Sequence, residues 1–238
     1  FVTDELLSGS HLTSCEKAVV HEKELFRTDA KCEGDRVVLG GWELSPDLDP
    51  GSSRWFILEL GPEEVPYLFK NLKGKVESSW ASTSAEVLGS WVGLQLFGKP
   101  PIVENGKRKS MIRICGGTDN QAAEFLSIKG GSTKLPLTLI MMQLASTLRS
   151  MQLELRLKWV PREKNTEADA LTNLDTSLFD SSLRVGVTWS QLKHEVLDKL
   201  VPLLPAFSEV MAGKRSGAKP TASGMTKKFK AETKSLWQ

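Results

Sequence analysis

SMIRICGGTDNQAAEFLSIKGG, residues 110–131, passes from a short apolar run to a helix-like one through a single acid, Asp119. The first eight residues read as a strand, and DNQAAEFLSIKG reads as a helix that stops at Gly130-Gly131. An Asp beside Gly-Gly and Asn is ordinary turn or cap chemistry when taken alone. Its meaning therefore depends on what the rest of the chain brings beside it.

Upstream, ELFRTDAKC (24–32), DRVVLGGWEL (35–44) and RWFILELG (54–61) read as three strands of a meander, joined by the turn EGD and the linker SPDLDPGSS. A segment rich in Pro, Gly and Ser (62–83) then lengthens the path to SAEVLGSWVGLQLFG (84–98), whose Val87, Leu88, Trp91 and Leu94 recur at helical spacing. Downstream, Ser132 and Thr133 offer caps to a longer helix with Pro136 in its first turn and Leu137, Ile140, Met141, Leu144, Leu148 and Met151 on one face. LELRLKWV (153–160) alternates strictly and reads as a half-exposed strand, after which Asn165 caps a helix in NTEADALTN. The order β-β-β-α-β-α-α-β-α is that of an α/β domain. Residues 175–213 read as a helical extension around SQLKHEVLDKL, 1–23 as an N-terminal extension, and 214–238 as a flexible tail.

Four carboxylates fall where a sheet-and-helix fold could gather them: Asp29 in the first strand, Glu86 in the first turn of the first long helix, Asp119, and Asp169 in the first turns of the last helix. Each one alone also fits an edge charge, a dipole partner or a cap. Gly89, Ser90 and Gly93 make the helix face below Glu86 small enough for its backbone to approach the sheet, and Gly116-Gly117 leaves the approach to Asp119 uncrowded. Four gathered acids repel one another unless divalent cations neutralise them, and Mg²⁺ takes hard oxygen ligands.

The pieces FRTDAKCEGDRVVLGGWE, SAEVLGSW, TDNQAAEFLSIKGGSTK and WVPREKNTEADALTN, in that order over residues 24–174, resemble the ribonuclease H-like domain of retroelement reverse transcriptases. In that family TDAS, a Glu-bearing helix, TDN and N-x-x-AD-x-L-(S/T) recur in the same sequence. The resemblance implies a mixed five-stranded sheet, three meandering strands followed by alternating α and β, flanked by helices. It implies Asp29, Glu86, Asp119 and Asp169 as catalytic acids holding two Mg²⁺ or Mn²⁺ ions, hydrolysis of the RNA strand of an RNA–DNA hybrid, and a reverse transcriptase domain upstream. Asn120 and Gln121 are candidate contacts to the strand, alongside their role in starting the next helix. Two departures stand out: Ala-Lys-Cys-Glu follows Asp29 where the family has Ala-Ser and a glycine-containing turn, and no His lies between Asp119 and Asp169. No polymerase Asp-Asp box is present. The alternative to an active nuclease is a degenerate domain that keeps the fold to bind nucleic acid or to connect its neighbours.

Composition agrees with one sizeable core, at 40% apolar and 25% charged residues. No apolar run of membrane-spanning length and no leader pattern is visible. A chain beginning with Phe reads as part of a longer one. Cys15, Cys32 and Cys115 have no zinc or disulfide spacing and read as free thiols of a reducing compartment, cytoplasm or nucleus. His11, His21 and His194 stand outside the motifs. Basicity is concentrated at the end: 7 of the 31 Lys and Arg residues lie in 214–238 against Glu232 alone, leaving 24 basic and 28 acidic groups in 1–213. Lys214, Arg215, Lys219, Lys227, Lys228, Lys230 and Lys234 are thus the available countercharge for a polyanion.

Overall fold

In the computed structural model, residues 19–72, 75–77, 82–99 and 112–204 are described. β1 (Val19–Glu33), β2 (Arg36–Glu43) and β3 (Trp55–Leu60) form the expected antiparallel meander. β6 (Ile112–Thr118) lies parallel to β1 on its other side, and β7 (Leu153–Trp159) parallel to β6. The result is a five-stranded mixed sheet of order β3-β2-β1-β6-β7 in which only β2 runs against the rest. This is the α/β architecture that the sequence pattern implies. A separate hairpin of β4 (Lys70–Leu72) and β5 (Lys75–Glu77) stands in the stretch before the first helix.

Both faces of the sheet are covered, and β2 shows how. Its side chains alternate, so Leu39 meets the helix α1 (Ser82–Phe97), while Val38 and Trp42 join Ala168 and Leu171 of α4 (Thr166–Thr172). β2 is consequently buried along almost its whole length, as strands sandwiched between helices are. α1 is itself buried nearly all round, because it lies between the sheet and α3 (Leu137–Met151), to which the Trp91 indole N–H donates through Thr147 Oγ1 at 2.9 Å. Ser90 lies against β1, its hydroxyl 3.3 Å from that of Thr28, so the small face below Glu86 does bring helix and strand together.

One local expectation is corrected and two others gain detail. α3 starts at Leu137 with Pro136 in the cap position and no side-chain cap; the Ser132 hydroxyl instead accepts from the Lys134 N–H within the preceding loop. Gly116 and Gly117 make room for neighbouring side chains. A Cβ on Gly116 would lie 2.7 Å from the Phe26 ring, and one on Gly117 would lie 2.9 Å from Arg27 Cγ. The Pro- and Gly-rich stretch after β3 is more than a spacer, since Val65, Tyr67, Leu68 and Phe69 are all buried.

The described residues up to Asp198 belong to one compact unit. Within it the chain after α4 returns to the sheet: Phe179 packs 6.1 Å from Trp42 and 5.6 Å from Trp55, and the Trp55 indole N–H donates to the Asp180 carbonyl at 2.7 Å. Phe179→Ala is expected to cost about 3 kcal/mol, through lost burial and the cavity left between two indoles. That corresponds to a fall in Tm of roughly 6–12 °C for a domain of this size. A Tm within a degree or two of the parent would mean that the return segment carries no share of the core. The expected helix in SQLKHEVLDKL appears as a 3-10 turn at Trp189–Gln191 and the helix α5 (Glu195–Leu200). A second unit begins at Lys199, and its described residues contain a 3-10 turn at Val201–Leu203. Among the described residues no helix is long and apolar enough to cross a membrane.

Candidate metal centre

Strand register is what brings the acids together. β1 and β6 are parallel with Arg27 beside Gly117, so Asp29 and Asp119, each two residues further on, emerge at the same level of neighbouring strands. Above them the second turn of α1 delivers Glu86. Asp29, Glu86 and Asp119 each place one carboxylate oxygen within 4.8 Å of the others. Asp29 and Glu86 are buried, and Asp119 is partly exposed. Three carboxylate oxygens this close together are hard ligands of the kind that divalent cations take.

Asp169, the fourth predicted acid, does not join this triad. It sits in the first turn of α4 (Thr166–Thr172), partly exposed, where Arg162 Nη2 approaches its Oδ1 at 3.4 Å and Asn173 Nδ2 donates to its Oδ2 at 3.1 Å. Its negative charge nonetheless adds to what raises the Asp29 and Asp119 carboxyls.

Burial dominates the electrostatics. It pushes the Glu86 carboxyl well above the ordinary glutamate range, and the negative charges of Asp29 and Asp119 push the same way. Asp29 is raised by burial too, opposed by hydrogen bonds from the Thr172 hydroxyl, 2.9 Å away, and from the Ala30 amide. Asp119 is raised by burial and by Asp29, and Arg162 holds it back. A divalent cation would offset the mutual repulsion of these acids when they are ionised.

A test of the site follows from these signs. Raised folded-state values mean that folding favours the protonated acids. That contribution is complete below the unfolded values near pH 4 and is lost as pH rises through the higher folded values. In EDTA, Tm should therefore fall between pH 5 and pH 8, whereas about 10 mM Ca²⁺, which needs the deprotonated oxygens, should raise it by roughly 5 °C at pH 8 and much less at pH 5. Equal shifts at the two pH values, or none, would remove the cation site.

Several residues of the site were not singled out by the motifs. Thr172, Thr118, Asn173 and Arg162 all touch the acids, Thr118 at 3.5 Å from Glu86 Oε2. For Thr172 the signal was in view, since N-x-x-AD-x-L-(S/T) ends on it. Asn165, expected as a helix cap, occupies the cap position without a side-chain cap bond; its buried amide donates to the Thr28 carbonyl at 3.4 Å, tying α4 to β1. Asn120 does cap the helix α2 (Gln121–Lys129), accepting from the Ala123 N–H at 3.1 Å, and Gln121 is exposed. Lys214, Arg215, Lys219, Lys227, Lys228, Lys230 and Lys234 lie outside the described residues, as do His11 and Cys15. His194 pairs with Asp198 at 2.7 Å and stacks on Trp189, away from the acids.

A meander, two parallel strands added beside β1, and acids inside β1, just after β6 and in α1 make up the arrangement. The sheet is the mixed five-stranded one, flanked by helices, that the resemblance implies. No family model matches the chain, and no curated protein does either. Among solved structures, RNase H1 from the halophilic archaeon Halobacterium salinarum is 17% identical, with a TM-score of 0.39 over 64% of this chain and 96% of that one. LC11-RNase H1, solved in complex with an RNA/DNA hybrid, is 16% identical, with a TM-score of 0.43 over 63% of this chain and 93% of that one. The N-terminal RNase H domain of a Mycobacterium tuberculosis protein is 15% identical, with a TM-score of 0.37 over 62% and 95%.

Proposed function

We propose that this chain is a divalent-cation-dependent endonuclease that hydrolyses the RNA strand of RNA–DNA hybrids. The observation that carries the reading is the convergence of Asp29, Glu86 and Asp119 within 4.8 Å at one end of a ribonuclease H-like sheet. Asp29, Glu86 and Asp119 would hold one ion, and Asp169 with Asp119 would complete the place for a second. When bound, such a pair of ions activates a water and stabilises the departing 3′ oxygen. The protein's own part is to hold the geometry. Thr172 and the Ala30 amide orient Asp29, the Thr118 hydroxyl steadies Glu86, and the Asn165 amide keeps α4 against β1. Choice of substrate would rest on hybrid shape and 2′-hydroxyl contacts rather than on base sequence. Asn120 and Gln121 border Asp119 and would lie along the strand, while Lys214, Arg215, Lys227, Lys228 and Lys230 would add countercharge to a domain whose preceding residues are net acidic. The order of the motifs supports placing the chain after a reverse transcriptase in a retroelement polyprotein.

The deciding experiment incubates the full chain with a labelled RNA–DNA hybrid in Mg²⁺ or Mn²⁺, with DNA and RNA duplexes as controls. Internal cuts in the RNA of the hybrid alone, stopped by EDTA, are expected. Binding of the hybrid without any cleavage would point to the degenerate nucleic-acid-binding module, and cutting indifferent to EDTA would remove the metal mechanism.

A further inference from the structure

The guanidinium of Arg162 stands over the mouth of the acid cluster, with Nε 3.9 Å from Asp119 Oδ2 and Nη2 3.4 Å from Asp169 Oδ1. Both separations exceed the 2.7–2.9 Å of a firm charge-assisted hydrogen bond. The side chain is 75% exposed, so solvent screens what attraction there is. Its backbone, by contrast, is fixed. Arg162 opens a 3-10 turn (Arg162–Lys164) closed by Asn165 N–H to the Arg162 carbonyl at 3.0 Å, and Arg27 Nη1 clamps the Lys164 carbonyl at 2.6 Å. A rigid base thus carries a loosely held cation beside two carboxylates, one of them a member of the metal-binding triad.

Two cations cannot serve the same carboxylate equally well. A divalent ion on Asp119 brings twice the charge at about half the distance, so it neutralises the acid and repels the guanidinium at once. Once displaced, Arg162 remains anchored at the rim, always charged, with a planar fork that matches a phosphate. From this, and resting on the nuclease reading above, we infer that Arg162 is an exchange residue. It is the counter-ion of Asp119 and Asp169 while the site lacks metal, and on metal binding it turns outward to grip a backbone phosphate of the substrate strand. Metal loading and substrate binding are then coupled through one side chain, and the hybrid is held best by the loaded enzyme.

The coupling is tested with Arg162→Ala and Arg162→Lys in the full chain. Ca²⁺ titrations without nucleic acid, read by Tm or calorimetry, should show Arg162→Ala binding the ion several-fold more tightly than the parent, because a competitor is gone. Hybrid binding in Ca²⁺ at several KCl concentrations should weaken for the same variant, and the slope of log affinity against log salt should flatten by roughly 0.7–0.9, the value of one phosphate contact. Arg162→Lys should restore the slope in part. Unchanged Ca²⁺ affinity, or an unchanged salt slope, overturns the inference while leaving the nuclease reading intact if the parent still cuts hybrid. A parent that neither binds nor cuts hybrid overturns both.

Discussion

Asp119→Asn is expected to lower hybrid cleavage by roughly 10³-fold or more while the metal-free protein stays as stable as the parent or gains a little. The substitution keeps the side chain's size and one hydrogen-bonding oxygen, but it removes the charge that a hard divalent cation requires of its ligand. Loss of cation-based stabilisation worth about 4 kcal/mol in the transition state corresponds to that factor. Stability should move the other way, since burial and the neighbouring Asp29 already oppose ionisation of this group, and its contact with Arg162 is long. Relieving it also lowers the repulsion on Glu86. Cleavage rates and metal-free melting curves measured on the same preparation check both halves. A variant cutting within tenfold of the parent would show that the triad is not the reacting centre.

Gly40→Ala should unsettle the site from behind. Gly40 on β2 is paired with Asp29 on β1, and a Cβ there would lie 2.8 Å from Leu171 Cβ and 3.0 Å from the Thr172 amide nitrogen. Those atoms belong to or adjoin the α4 backbone, so no side chain can swing aside and the helix has to move as a body. The overpacking is expected to cost about 2 kcal/mol, or roughly 4–8 °C in Tm. The same movement would pull the Thr172 hydroxyl from Asp29, 2.9 Å away, and shift Asp169. Misplacements of this kind cost roughly 10- to 100-fold in rate. Gly186→Ala is the matched control, because nothing lies within 4 Å of a Cβ at that position. Equal effects of the two substitutions on Tm and rate would mean that close seating of α4 is not what builds the site.

How much of this was legible differs from element to element. The meander, α1, α3 and β7 followed from apolar periods of 2 and 3.6 residues, which are properties of a few consecutive side chains. The caps divide instructively. Asn120 caps α2 as its local sequence suggests, whereas Asn165, with equally good cap chemistry, spends its amide on the Thr28 carbonyl, 137 positions away. The stretch after β3 read as a lengthened path to the first helix, yet Tyr67 and Leu68 in it are core residues.

The sequence by itself determined which acids the chain carries, in which order and on which kind of element, because strands, helices and their boundaries are written in neighbouring residues. Only the tertiary structure decided that Asp29, Glu86 and Asp119 meet while Asp169 stands aside with Arg162. That outcome depends on the β1–β6 register, on how deeply α1 lies against β1, and on the bare Cα of Gly40 that seats α4. Each of these is a contact between segments far apart in the chain, and the distance between two carboxylates is set by such packing rather than by any local pattern.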